Sequence, residues 1–91
     1  MGMELNRQPI GLAGPPFVIR PHPARSIYGV RLTDTWAGWR RQFNREAPTA
    51  PDVTILARRG LIRFAATPGN FQSQLATIQI LIDRANRTAE E

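Results

Sequence analysis

The chain has 91 residues, 42% of them hydrophobic and 21% charged, which suits one small domain and excludes both a disordered composition and two independent cores. Its formal charge of +5 rests entirely on arginine. With no lysine and no cysteine in the chain, Schiff-base chemistry, thiolate nucleophiles, thiolate zinc sites and disulfides are excluded together.

The first 25 residues hold Pro9, Pro15, Pro16, Pro21 and Pro23, a density that no helix and no central strand tolerates. They read as a proline-rich irregular arm, in which only Phe17-Val18-Ile19-Arg20 has the character of an extended piece. Phe17 and Ile19 are the residues suited to pin such an arm to the domain or to a partner. The N-terminus lacks a basic start followed by an apolar run, so it does not read as a signal peptide. The longest apolar run, Ile78 to Ile82, is far short of a bilayer span. The expected address is therefore cytoplasmic, with no membrane partner.

Ser26 to Leu32 alternates as a strand, with Tyr28, Val30 and Leu32 on one face and Ile27, Gly29 and Arg31 on the other. Thr33 or Asp34 is placed to cap a helix that Pro48 stops near Ala47. Trp36, Trp39, Phe43 and Ala47 recur at helical spacing as one apolar stripe. After a turn at Pro48 to Asp52, Val53 to Ala57 and Leu61 to Ala66 read as a hairpin about Arg58-Arg59-Gly60. Asn70 then caps a final helix to about Arg87, with Phe71, Leu75, Ile78, Ile82 and Ala85 as its stripe, widened by Leu81. Asp83 and Arg87 have the spacing of an i,i+4 ion pair, while Ile80 falls off the stripe.

The expected fold is an α+β two-layer sandwich in the order arm-β-α-β-β-α, with both helices on one face of a three- or four-stranded, mainly antiparallel sheet. Residues 1–25 form the arm, 26–88 the single domain, and 89–91 a frayed acidic tail.

The phrase Gly60-Leu-Ile-Arg-Phe-Ala-Ala-Thr-Pro-Gly-Asn70, within residues 26–87, resembles the small C-terminal domain of class V, fold-type I pyridoxal-phosphate enzymes of the cysteine desulfurase and kynureninase type. The best-matching motif is Ile62-Arg63-Phe64-Ala65 with Asn70 at the helix start. The resemblance implies that Arg63 grips a substrate carboxylate, a task suited to a guanidinium on a rigid strand. The chain departs from the pattern at Ala66-Thr67-Pro68-Gly69, where the family usually has a proline–histidine pair and an aromatic. It also carries no cofactor-binding domain. What the resemblance implies is thus a detached domain completing such an enzyme in trans. Against this, Arg63 also reads as the outward residue of an alternating strand.

Catalysis by the chain alone has little material. His22, the only histidine, lies between two prolines, and no carboxylate pair has metal-ligand spacing. No catalytic residue, cofactor or metal is therefore expected. Arg40, Arg41, Arg45, Arg58 and Arg59 come from one helix and one hairpin tip, and would form a basic patch if these meet. A GC-rich genome is the first account of arginine in place of lysine, and recognition of phosphates or carboxylates the second. Trp36 and Trp39 read first as core, with stacking on nucleic acid or an interface role as alternatives. The interface candidates are Phe17, Ile19, Trp36, Trp39 and Ile80.

The expected function is a small non-enzymatic interaction module, an accessory or regulatory subunit acting through protein–protein contacts and capable of self-association. Arginine-rich nucleic-acid binding is the alternative, and the domain in trans a third reading.

Overall fold

A computed structural model describes residues 9–48 and 54–88. Six elements follow one another: β1 (Phe17–Arg20), β2 (Ser26–Arg31), α1 (Ala37–Glu46), β3 (Ile55–Arg58), β4 (Leu61–Ala66) and α2 (Phe71–Thr88). The strands form one antiparallel sheet in the order β1-β2-β4-β3. Because β4 is antiparallel to both β2 and β3, the α1 connection joins two parallel strands with β4 between them. The α+β sandwich with both helices on one face is as the alternation of periods implied.

The alternation in β2 and the stripes of both helices meet in one core. Val30, Ile62, Phe64, Ala66, Ile55 and Ala57 supply the sheet side, while Trp39, Phe43, Ile78, Leu81, Ile82 and Ala85 supply the helix side. Tyr28, Phe64 and Phe71 cluster at one end with ring centroids 4.8–6.0 Å apart, Tyr28 stacked on Phe64 and Phe71 tilted against both. Gln74 also lies within the buried stripe, where its Nε2 donates to the Ala65 carbonyl at 2.9 Å. A buried amide needs such a partner, and this one ties the start of α2 to β4.

The arm is where the structure differs most from the sequence reading. Phe17–Arg20 is a strand paired with β2, and upstream of it Leu12 bridges Leu32. Ile10 is buried in the core. Prolines permit this because the segment is an edge, where an absent N–H can face away from the ladder. The irregularity is confined to a bulge between Val18 and Arg20 and to the links around β1.

Helix boundaries differ as well. Thr33 does not cap α1, because its N–H donates to the Gly11 carbonyl and its hydroxyl accepts from the Gly11 N–H. Asp34 accepts from the Thr35 N–H instead. The helix begins later, with Trp36 in extended conformation as N-cap and no side-chain cap bond. It stops as foreseen: Ala47 is extended, as a residue before proline is driven to be. At α2, Thr67 and Asn70 share the cap. Asn70 N–H donates to Thr67 Oγ1 and Thr67 N–H to Asn70 Oδ1, the reciprocal arrangement of a capping box with Pro68 between them. Asp83 accepts from Gln79 at 3.2 Å rather than pairing with Arg87. The Val53 start of the third strand, Asp52 and the acidic tail lie outside the described residues.

Both sheet edges are protected. On β3, Asn44 of α1 clamps Ala57, accepting its N–H at 2.7 Å and donating to its carbonyl at 3.1 Å. The Ile55 N–H reaches the Pro48 carbonyl. On β1, the bulge and flanking Pro16 and Pro21 interrupt the outer row of amides.

Asn44→Ala is expected to cost about 1–3 kcal/mol by leaving the β3 edge groups unpaired. Urea denaturation reads this loss, and light scattering on partial unfolding should show faster aggregation through the bared strand.

Candidate functional site

The helices cover one face of the sheet, and no helix among the described residues covers the other. Its side chains follow from the register. Phe17 of β1 lies opposite Gly29 of β2, which faces Arg63 of β4, which faces Leu56 of β3. Arg31 lies opposite Leu61, and Ile27 opposite Ala65. These side chains point away from both helices because strand neighbours alternate.

Gly29 organises this surface. A Cβ there would sit 2.8 Å from Phe17 Cζ, 2.9 Å from Leu61 Cδ1 and 3.0 Å from Ile19 Cδ1. The three side chains thus close over the glycine as one apolar cluster. Next to it, the Arg31 guanidinium lies over the Phe17 ring, 5.2 Å from its centroid. Such cation–π contact fixes the arginine while leaving it solvated. Arg63 is half-buried and has no hydrogen-bond or ion-pair partner among the described residues. It borders a hollow of about 240 Å³ lined by Ile27, Thr54, Leu56, Phe64 and Ala65. The sequence-based expectation of a carboxylate grip falls on this arginine.

The predicted basic patch is a separate surface. Thr35 Oγ1 accepts from Arg40 Nη1 at 3.0 Å and from the Gly60 N–H at 3.1 Å. One hydroxyl therefore holds the start of α1 against the hairpin tip that carries Arg58 and Arg59. Asn44, one turn after Arg40, grips Ala57 beside Arg58. Arg41 and Arg45 follow Arg40 and Asn44 by one residue each, which places them on the adjoining solvent side of α1. Both are exposed, as are Arg58 and Arg59.

The interface candidates divide. Trp39 is fully buried, stacks on Phe43 at 5.3 Å and donates from Nε1 to Asn86 Oδ1, so it is core and not interface. Trp36 is half-buried against the core. Ile19 and Ile80 are exposed, but on different sides: Ile19 belongs to the cluster over Gly29, whereas Ile80 stands alone on the outside of α2. His22 lies in the exposed β1–β2 connection, where its Nδ1 accepts the Ala24 N–H. No group of three or more histidine or acidic side chains suited to a metal occurs among the described residues. No helix among them is long and apolar enough to cross a membrane.

Sequence reasoning missed Leu56, Leu61, Ile27 and Arg31 as site residues. The signal was present, since apolar residues on both faces of the hairpin leave one set without helical cover. No protein-family model, curated protein or solved structure matches the chain.

Gly29→Val is expected to force Phe17 and Leu61 apart and to destabilise the fold by about 1–3 kcal/mol. In proton NMR, Arg31 side-chain signals shielded by the Phe17 ring should move downfield. Unchanged Arg31 shifts would contradict the glycine's organising role.

Proposed function

We propose that the chain is a non-enzymatic protein-binding module that docks through the open face of its sheet. The observation that carries this reading is the apolar cluster of Phe17, Ile19 and Leu61 over Gly29, continuous with Ile27 and Leu56 and flanked by Arg31 and Arg63. A contiguous half-exposed apolar surface with arginine and aromatic members has the composition of an interface centre. The hollow is smaller than the roughly 300–1,000 Å³ of small-molecule sites, which favours a partner's side chain over a cofactor. Both sheet edges are protected, so binding by added strands is disfavoured and the face remains.

A photo-crosslinking residue placed at Leu61 should give discrete protein adducts in native lysate, while the same residue at Ile80 should not. Equal adducts from both positions, or none from Leu61, would sink the reading.

Nucleic-acid binding is favoured by one specific observation, the Thr35 bridge that gathers Arg40 with the hairpin tip. If it operates, affinity for a single- or double-stranded probe falls steeply with salt, and Arg58→Ala with Arg59→Ala lowers the logarithmic salt slope by about 1–2. Unshifted probes at low salt in a gel assay would end this reading.

A further inference from the structure

The open face carries two arginines on adjacent strands, and we infer that its occupant is an amphipathic helix of another protein, bearing two carboxylates one turn apart beside a large apolar side chain. This rests on the protein-binding reading and names the partner's chemistry.

Charge comes first. The described acids are Asp34, Glu46 and Asp83, and none is on the open face: Glu46 and Asp83 belong to the helices, and Asp34 follows the end of β2. Among the described residues Arg31 and Arg63 therefore meet no acid there, and Arg63 has no partner at all. A second copy of this chain would set arginine against arginine across the contact, which opposes a face-to-face dimer. An acidic surface complements it.

Spacing comes next. Gly29 opposes Arg63 and Arg31 opposes Leu61, so the two arginines are diagonal neighbours on adjacent strands. Their backbone separation is about 7–8 Å. Carboxylates three or four residues apart on a helix project from Cβ atoms about 5–6 Å apart, a difference that the long side chains span. Same-face residues two apart on an extended strand lie about 6.5 Å from one another and match this separation as well, so the preference for a helix rests on the cover it gives the sheet.

Shape completes the match. The hollow beside Arg63 opens between Ile27 and Leu56 and has room for one large apolar side chain. Arg31 is already held by the Phe17 ring, so less side-chain freedom is lost when it pairs. A helix on this face would give the sheet a second helical layer, the usual cover for a sheet with two apolar faces.

The test is a displayed library of helical peptides selected against the intact chain, with binding of the enriched peptides measured by fluorescence anisotropy. Enriched sequences should carry Glu or Asp at i,i+3 or i,i+4 next to Leu, Ile, Phe or Trp. Arg31→Gln and Arg63→Gln should each weaken them about tenfold, and Arg87→Gln on α2 should not. Circular dichroism of each variant verifies that the fold is intact. Peptides that bind the open face without paired acids, or in extended form, overturn the inference and leave the protein-binding reading standing. So does a dimer in light scattering that Leu61→Glu returns to monomer. A pool with no open-face binder overturns both.

Discussion

Trp39 is the side chain on which the arrangement turns. It is wholly buried, and a buried indole N–H requires an acceptor. Asn86 provides it at 3.0 Å, and the same Oδ1 accepts the Ile10 N–H while Nδ2 donates to the Ile10 carbonyl at 2.9 Å. One amide therefore joins α1, α2 and the N-terminal segment across 76 positions of sequence. Once Ile10 is fixed there, the following residues are led along β2, through the Leu12–Leu32 bridge, into β1. That path delivers Phe17 and Ile19 to the far side of the sheet. The open face thus depends on a hydrogen bond within the opposite layer.

Asparagine is used three times in this way. Asn86 ties the terminal segment, Asn44 closes the β3 edge, and Asn70 returns the cap bond of α2. Each offers both a donor and an acceptor, so each satisfies backbone groups that no ladder reaches. By contrast, the Arg84–Glu46 ion pair is exposed and 3.4 Å long, and contributes at most about 1 kcal/mol. Packing and amide clamps hold the domain, and its arginines are left for the surface.

Those arginines occupy two distinct settings. Arg40, Arg41, Arg45, Arg58 and Arg59 lie on α1 and on the hairpin that Thr35 and Asn44 hold to it. Arg31 and Arg63 stand among apolar side chains, where an ion pair is less screened and more selective. The first setting suits long-range attraction and the second suits recognition at contact.

The sequence by itself determined the elements and the covered face. Period-two alternation in Ser26 to Leu32, the stripes of both helices, the glycine turn at Gly60 and the stop at Pro48 are local signals, and each acts through the backbone nearby. Only the tertiary structure decided the role of residues 9–20, the cap of α1 and the pairing of acids with bases. Proline content argued against a strand locally, yet an edge position and the distant Asn86 made one permissible. Thr33 was lost as a cap because Gly11, 22 residues away, claims its hydroxyl. The open face was hidden for the same reason: it is the register between strands, not the order of residues within one, that sets Arg31 and Arg63 diagonally on adjacent strands, with Phe17 beside Arg31.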